Sequence, residues 1–405
     1  MPAPPTEGEA LRFWLRLGCI SFGGPAGQIA LMHDEIVERR RWIDEGAFLR
    51  GLNACMALPG PEAQQLASYI GYRLHGMRGA LAAGGLFVLP SFVLLCVLSG
   101  VYVRYGTVAE IEGVVRGLGG AVVALVAAAV LRIGGRVVRT PIALALAVAS
   151  FAASIAHIPF LAIIATAAAL GALLHGRLGE PESHGDPAAE PAPSTPWRPR
   201  LAATLAAWLV PLAALLLAGG VIADLAGFFS LAALVTFGGA YAVLPFVADQ
   251  AVRGYGWLSP ADMVAGLALG ETTPGPLIMV NTFVGFLAGE HHGGTLVWGL
   301  AGASVATVCT FAPSFVFILN LAPVIDRARP TGRVADALAG VTVAVVGVIA
   351  GLAVYLARHA LVRHGEPDWV PMVLAVGAFA ALRLRISPVR VIAVCAAVGL
   401  VATAF

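Results

Sequence analysis

Five uncharged apolar runs limit what this chain can fold into. Each run reaches or exceeds the ~20 residues that an α-helix needs to cross a lipid bilayer. A transmembrane β-barrel would instead show short segments of alternating polarity, and the runs have no such period. The sequence therefore predicts an all-α integral membrane protein. The runs extend over residues 79–103, 201–223, 225–248, 294–325 and 337–356.

The composition also indicates a membrane protein, and it argues against several kinds of function. Hydrophobic residues make up 59% of the chain and charged residues 12%, too apolar a balance for a soluble protein. The net charge is +2 and no lysine occurs, so neither nucleic-acid binding nor a nucleotide-binding loop is predicted. The five cysteines lie singly in apolar stretches, which predicts no metal site. We expect no cofactor and, without a recognisable catalytic dyad, no enzyme.

A set of helix-breaking residues occurs twice at one spacing. Phe22-Gly23-Gly24 returns as Phe237-Gly238-Gly239, and Pro59-Gly60-Pro61 returns as Pro274-Gly275-Pro276, in both cases 215 positions later. One shift that superimposes several Gly and Pro positions indicates an internal duplication.

The duplication divides the chain into parts. Residues 177–200 are rich in Pro, Glu, Ser and Gly, which predicts a flexible cytoplasmic linker. It separates a first repeat, residues 1–176, from residues 201–405, which contain an additional transmembrane helix at 201–223 and the second repeat. One additional crossing inverts the second repeat, and the placement of arginine-rich loops agrees. Whether the motif segments span the membrane or are re-entrant stays open.

The Pro-Gly-Pro motifs predict breaks inside membrane helices. Proline removes a backbone donor and clashes with the preceding turn, and lipid tolerates such a break only where the freed groups face protein or a watery cavity. We therefore predict pairs of half-helices at 46–74 and 260–289 that meet at Gly60 and Gly275. Pro61 and Pro276 suit the first position of the second half-helix.

Helix N-termini at these breaks predict a site for a small oxyanion. A helix start presents unpaired N–H groups and about half a positive charge, and the two repeats would supply starts near residues 25, 61, 240 and 276. Nearby polar side chains can donate hydrogen bonds. The alternative is that they satisfy freed backbone carbonyls, but matched breaks favour a site. The candidate substrate-binding residues are Gly23, Gly24, Pro25, Gln28, Pro59, Gly60, Pro61, Gln64, Gln65, Gly238, Gly239, Thr272, Thr273, Pro274, Gly275, Pro276 and Asn281.

Two carboxylates lie beside the motifs. Glu62 follows one Pro-Gly-Pro directly and Glu271 precedes the other by three residues. A carboxylate inside a membrane is a candidate for proton coupling, although Glu62 would also stabilise a helix start. Arg116 and Asp336 occupy equivalent places in the repeats and either pair with each other or lie near the membrane surface.

The motifs resemble those of the chromate transporter family, in its long two-domain type. The resemblance rests on Phe22 to Pro25, Trp42 to Asp44, Leu58 to Pro61 and Pro90-Ser91-Phe92, together with their second-half counterparts. It implies a multi-pass protein of the bacterial inner membrane, with antiparallel halves, that exports chromate and gives chromate resistance.

The resemblance leaves substrate and energy source open. A dianion leaving a negative interior gains ~2.3 kcal/mol per charge per 100 mV, so the membrane potential could drive export by alternating access without a proton antiport. Another tetrahedral oxyanion such as sulfate, or an anion channel, is the alternative. Expected partners are the oxyanion, membrane lipid and a second copy in a homodimer.

Overall fold

The computed structural model of the chain is almost wholly helical over the residues it describes. These are 5–22, 24–106, 108–174, 197–237, 239–323, 325, 332–363 and 365–404. Two two-residue strands, β1 (Val362–Arg363) and β2 (Glu366–Pro367), form a small antiparallel hairpin. The predicted all-α class is confirmed. Gly23, Gly238 and most of the predicted linker, residues 177–196, lie outside the described residues.

The first part of the chain contains helices of very different length. A π-helical segment, Asp34–Arg39, follows the second helix. The fourth is interrupted at His75 and Gly76, whose backbone angles are not helical. The helices are α1 (Glu7–Ile20), α2 (Gly24–His33), α3 (Glu45–Ala57), α4 (Glu62–Tyr105), α5 (Ala109–Val137), α6 (Pro141–Ile155), α7 (Phe160–Leu174) and α8 (Trp197–Ala218).

The later helices show a similar pattern. A π-helical segment, Gln250–Gly254, follows the second of them, and 3₁₀ turns occur at Leu277–Met279 and Ala402–Ala404. The helices are α9 (Gly220–Leu234), α10 (Ala240–Asp249), α11 (Pro260–Thr272), α12 (Val280–Gly293), α13 (Leu296–Leu321), α14 (Arg333–Ala360), α15 (Trp369–Arg383) and α16 (Pro388–Val401).

Among the residues that the structure describes, five helices are long and apolar enough to cross a membrane: α4, α5, residues Pro199–Ala218 of α8, α13 and α14. The chain is therefore a multi-pass membrane protein. Other apolar helices are shorter, and α6 and α7 have 15 residues each. At 1.5 Å per residue such a helix measures about 22 Å, less than the ~30 Å hydrocarbon core. The additional helix predicted at 201–223 ends at Ala218, because Gly219 and Gly220 both have positive φ.

Side-chain caps fix several helix starts. Thr6 and Glu9 form a capping box at the start of α1, and the hydrogen bonds from Thr6 lower the pKa of Glu9. Asp44 caps α3 by accepting from the Ala47 N–H, and Ser259 caps α11 by accepting from the Asp262 N–H. Such caps satisfy donors that the helix itself leaves free.

Local structure recurs at the spacing of the repeated motifs. Helices α3 and α11 begin at residues 45 and 260 and end at 57 and 272, so both ends differ by 215 positions. The capping residues Asp44 and Ser259 share this spacing, and a π-helical segment precedes each of them. An internal duplication predicts this recurrence.

The contacts divide the chain into two compact units. The first unit consists of Met1–Leu94, Glu182–Ala240 and Pro274–Pro330, and the second of Leu95–Pro181, Tyr241–Thr273 and Thr331–Phe405. Each unit therefore takes segments from both predicted repeats. In the first unit, large aromatic side chains such as Trp14, Phe48 and Tyr69 are fully buried. In the second, α5 packs against α14, α15 and α16, and α14 packs against α6 and α7.

A partly buried ion pair in the second unit involves Arg116, one of the charged residues that the sequence analysis singled out. Arg116 Nε donates to Asp368 Oδ2 at 2.6 Å, and Arg116 Nη2 donates to Asp368 Oδ1. Asp368 is almost fully buried and also caps α15. Of the two alternatives that the sequence left open for Arg116, pairing with Asp336 is not what these bonds show, because the start of α15 brings Asp368 to α5.

Candidate functional site

The first Pro-Gly-Pro loop, residues 59–61, breaks the chain where the sequence predicts it. Helix α3 ends at Ala57, Gly60 has a φ of 123°, and α4 begins at Glu62. The Pro61 carbonyl accepts the Gln65 N–H at 2.9 Å. Pro61 is therefore the residue that precedes α4, and its carbonyl accepts the first helical hydrogen bond. The sequence predicted it one residue later, at the first position of the helix.

The second Pro-Gly-Pro loop, residues 274–276, is not followed directly by an α-helix. Gly275 has a φ of 105°, but Pro276 leads into the 3₁₀ turn Leu277–Met279, and α12 begins only at Val280. The helix start predicted near residue 276 is therefore present only as a 3₁₀ turn, which α12 continues. The other three predicted starts are present, since α2 begins at Gly24, α4 at Glu62 and α10 at Ala240.

Within the first unit, each loop is hydrogen-bonded to the segment that precedes the other repeat's Phe-Gly-Gly motif. The Gly60 N–H donates to the Thr236 carbonyl at 2.8 Å, and the Gly275 N–H donates to the Ser21 carbonyl at 2.8 Å. Ser21 and Thr236 are 215 positions apart, as the two glycines are. The two bonds are thus equivalent under the sequence shift. We call this arrangement the reciprocal loop pair.

Two serines complete the reciprocal loop pair. A Cβ on Gly60 would lie 2.3 Å from Ser314 Oγ, and a Cβ on Gly275 would lie 2.7 Å from Ser91 Cβ. These serines belong to the repeated Pro-Ser-Phe motif, and each packs on the loop of the other repeat. The loops also have positive φ, so only glycine fits at both positions. The Pro-Ser-Phe motif supports the resemblance to the family, but its serines were not among the predicted site residues.

The amide nitrogens of two predicted site residues hold the loops. Gln28 Nε2 donates to the Ser21 carbonyl at 3.2 Å and to the Gly275 carbonyl. Gln65 Nε2 donates to the Pro59 carbonyl at 2.7 Å and contacts Ser314 Oγ at 3.5 Å. Both hydrogens of each nitrogen are therefore used by protein. For these nitrogens the alternative interpretation is correct, since they satisfy carbonyls that the breaks set free.

Gln64 and Asn281 retain hydrogen-bonding capacity. Gln64 Nε2 donates to Ser68 Oγ at 3.0 Å, and Asn281 Nδ2 donates to Thr310 Oγ1 at 3.1 Å. Each nitrogen carries a second hydrogen. The buried side-chain oxygens of Gln28, Gln64, Gln65 and Asn281 have no partner among the described residues. An unsatisfied buried polar atom costs about 1–3 kcal/mol, so these groups favour a water-containing or ligand-binding site.

Glu62 connects the first repeat to the second Phe-Gly-Gly motif. It is the first residue of α4 and is half-buried. A Cβ on Gly239 would lie 3.4 Å from Glu62 Oε1, and the φ of Gly239 is 93°. The absence of a side chain at Gly239 therefore leaves room for the Glu62 carboxylate.

Three predicted site residues belong to the second unit instead. Glu271 Oε1 accepts the Tyr241 hydroxyl at 2.8 Å. The Thr272 hydroxyl donates to the Leu269 carbonyl at 2.8 Å, and the Thr273 hydroxyl donates to the Gly270 carbonyl at 3.1 Å. In this structure each threonine hydroxyl therefore donates to a carbonyl of its own helix end, and a role of the two threonines in substrate binding stays a prediction.

Comparison with known proteins identifies the family. Residues 8–172 and 223–400 match the model of the family described as Chromate transporter. The chain belongs to the chromate transporter family. The two matched ranges are separated by the predicted linker and additional helix, and together they include both Phe-Gly-Gly and both Pro-Gly-Pro motifs.

Relatives within the family match over most of their length. The "Chromate transport protein" of Pseudomonas aeruginosa is 33% identical over 363 residues, 88% of this chain and 83% of the relative. The "Chromate transport protein" of Cupriavidus metallidurans is 30% identical over 403 residues, 97% and 92%. The "Probable chromate transport protein" of Synechococcus elongatus is 30% identical over 368 residues, 89% and 87%. No solved structure matches the chain significantly.

The polar side chains of this family member are distributed unequally between the equivalent positions. Four polar residues of the first repeat have an apolar residue at the equivalent position, 215 residues later. The two repeats therefore share the backbone arrangement of the loop pair but not its side-chain chemistry. The pairs are Gln28 and Val243, Glu62 and Leu277, Gln64 and Met279, and Gln65 and Val280.

The loop pair predicts a strict requirement for glycine. We expect Gly60→Ala and Gly275→Ala each to destabilise the protein by at least about 2 kcal/mol, because strained φ alone costs of order 1–3 kcal/mol and the new methyl group overlaps a serine. Thermal unfolding in detergent measures this effect. Gly85→Ala is the control, since Gly85 is exposed within α4 with open space around it. Equal unfolding temperatures for all three variants would contradict the prediction.

Proposed function

We propose that this protein transports chromate across the bacterial inner membrane, out of the cytoplasm, and so gives chromate resistance. The observation that carries the proposal is membership of the chromate transporter family over most of the chain. The names of the relatives from Pseudomonas aeruginosa and Cupriavidus metallidurans support chromate as the substrate.

The substrate site in this proposal is the reciprocal loop pair of the first unit. The starts of α2 and α4 supply N–H groups and positive helix ends, which bind anions. The second hydrogens of Gln64 Nε2 and Asn281 Nδ2 are further donors. Gly60 and Gly275 hold the loops in place and do not bind the anion, since their N–H groups already donate to the carbonyls of Thr236 and Ser21.

The reciprocal bonds also support an inverted duplication and alternating access. Equivalent residues exchange the same bond in both directions, which is the pattern expected if a pseudo-two-fold axis relates the two repeats. Inverted repeats of this kind allow one part of a carrier to rock against the other around a fixed site. A homodimer stays a prediction that no contact in this structure tests.

Glu62 gives a physical reason for a proton to take part. Its carboxylate lies at the start of α4, so it competes with an oxyanion for the same positive helix end. A neutral, protonated Glu62 removes the repulsion. In our proposal the membrane potential drives export, at ~2.3 kcal/mol per charge per 100 mV, and protonation of Glu62 controls access of the anion.

Chromate uptake into everted vesicles tests the proposed function. We expect saturable uptake that a lumen-positive potential accelerates, because export from the cytoplasmic face corresponds to uptake here. Sulfate should compete, since amide and backbone donors recognise tetrahedral oxyanions generally. Uptake without saturation would favour a channel, and sulfate uptake in preference to chromate would change the assigned substrate. No uptake of either ion would overturn the proposal.

A conservative loss of one donor should weaken substrate binding. We expect Gln64→Leu to raise the chromate KM by roughly 10- to 100-fold, because a hydrogen bond to a charged group contributes about 1.5–3 kcal/mol. Gln250→Leu is the same type of substitution at a position outside the loop pair, and it should leave the KM unchanged. Indistinguishable KM values for the two variants would exclude Gln64 from the site.

Proton control by Glu62 predicts a distinct pH profile. Wild-type flux should fall as the pH rises across the neutral range, since the ionised carboxylate excludes the anion, whereas Glu62→Gln should show a flat profile. Parallel measurements with sulfate, which stays a dianion over this range, separate the effect from protonation of chromate. Glu110→Gln, at an exposed position, is the control. Unchanged profiles in both Glu62→Gln and Glu271→Gln would remove proton coupling from the account.

A further inference from the structure

A cavity in the second unit is lined by charged and aromatic side chains that the proposed transport site does not use. Its walls come from the α6–α7 connection, from α10 with the π-helical segment after it, and from the last turns of α14. Its volume is about 140 Å³, whereas a cavity needs on the order of 10–15 Å³ to hold one water molecule. The cavity therefore has room for a small hydrated ion. The polar lining residues that matter here are His157, Asp249, Arg253, Tyr355, Arg358 and His359.

The lining carries an excess of positive charge. Arg253 and Arg358 each contribute a guanidinium, and Asp249 contributes the one carboxylate among the described lining residues. Asp249 Oδ1 lies 3.7 Å from Arg253 Nη1, and both side chains are nearly half exposed. Such an exposed contact is weak, so Asp249 does not saturate the donors of Arg253. A guanidinium has five N–H donors, most of which stay available to a ligand.

Two aromatic side chains also hold Arg253 at the cavity. Arg253 Nη1 lies 3.2 Å from His157 Nε2 and also contacts Nδ1 of the same ring. Its guanidinium carbon lies 5.8 Å from the centroid of the Tyr355 ring, within range of a cation–π interaction. These contacts orient the guanidinium without neutralising it.

A hydroxyl in the same lining lacks a partner. The Tyr355 Oη is buried and makes no hydrogen bond to any of the described residues. The Tyr355 ring packs against His359 at 4.3 Å between centroids. A buried hydroxyl without a partner costs about 1–3 kcal/mol, a cost that an acceptor inside the cavity would remove. Two guanidinium groups and a free hydroxyl are together a donor set for an oxyanion.

Stabilisation of a helix end does not account for this cluster. Arg358 and His359 lie in the last turn of α14, where positive charge complements the helix dipole. Arg253, however, comes from the segment after α10 and is directed to His157 and Tyr355, which belong to different elements. The convergence of donors from separate elements on one cavity favours a ligand between them.

We propose that this cavity binds one tetrahedral oxyanion of the sulfate or phosphate class, either as a free ion or as the phosphate of a lipid headgroup. Arg253 and Arg358 neutralise the charge, and the Tyr355 hydroxyl donates a hydrogen bond. The site is separate from the proposed transport site, because all of its residues belong to the second unit and none belongs to the loop pair.

Calorimetric titration of the whole purified protein with sodium sulfate, in phosphate-free detergent, tests the free-ion form. The paired variant Arg253→Gln/Arg358→Gln should bind sulfate at this site at least 10-fold more weakly than the wild type. Arg390→Gln removes an exposed arginine elsewhere in the second unit and should bind as the wild type does. Gln64→Leu should also retain this binding, which distinguishes the cavity from the transport site. Tyr355→Phe, which keeps the ring, should weaken binding by a smaller factor.

Native mass spectrometry tests the headgroup form. Phosphatidylglycerol should be retained by the wild type and lost from the paired variant, whereas diacylglycerol with the same tails should be retained equally by both. Weakened sulfate binding in the paired variant supports a free-ion site, and selective loss of phosphatidylglycerol supports a headgroup site. If the paired variant matches Arg390→Gln in both measurements, the cavity is not an oxyanion site.

Discussion

The structure of the first unit depends on how the backbone N–H and carbonyl groups at two helix breaks find hydrogen-bond partners without water. A Pro-Gly-Pro break frees N–H and carbonyl groups, and each such group left unpaired in lipid costs several kcal/mol. Gly60 and Gly275 solve this problem by donating to Thr236 and Ser21. Neither break is self-sufficient, so the two predicted repeats depend on each other for the integrity of their loops. Within the first unit, this mutual dependence is one reason why segments of both repeats pack together.

The two repeats share the backbone arrangement of the loops but differ in the polarity of the side chains around them. The backbone bonds and the serines that pack on the glycines occur in equivalent pairs, whereas Glu62, Gln64 and Gln65 have Leu277, Met279 and Val280 as counterparts. The reciprocal backbone bonds need the same local geometry in both repeats. A bound anion needs donors but no symmetry between them, so the second repeat contributes Asn281 and is otherwise apolar at these equivalent positions.

Sequence reasoning predicted the class of fold and the positions of the breaks, because apolar runs and Gly/Pro chemistry are local. It did not predict the partners, which lie 176 residues apart for Gly60 and Thr236 and 254 apart for Ser21 and Gly275. It missed the 3₁₀ turn after Pro276 and the bond from Arg116 to Asp368, since neither has a local signal. It also assigned Thr272 and Thr273 to the substrate, although their hydroxyls bond to their own helix. The recurrence of Pro90-Ser91-Phe92 as Pro313-Ser314-Phe315 was the signal that could have added the two serines to the site.

The most direct test of this account is a cryo-electron microscopy structure of the protein in lipid nanodiscs, compared with and without saturating chromate. The account predicts additional density in the first unit, beside Gln64 and the start of α4, with the bonds from Gly60 to Thr236 and from Gly275 to Ser21 intact. Chromate density elsewhere, with the loop pair unoccupied, would contradict the central claim that the two loops together form the substrate site.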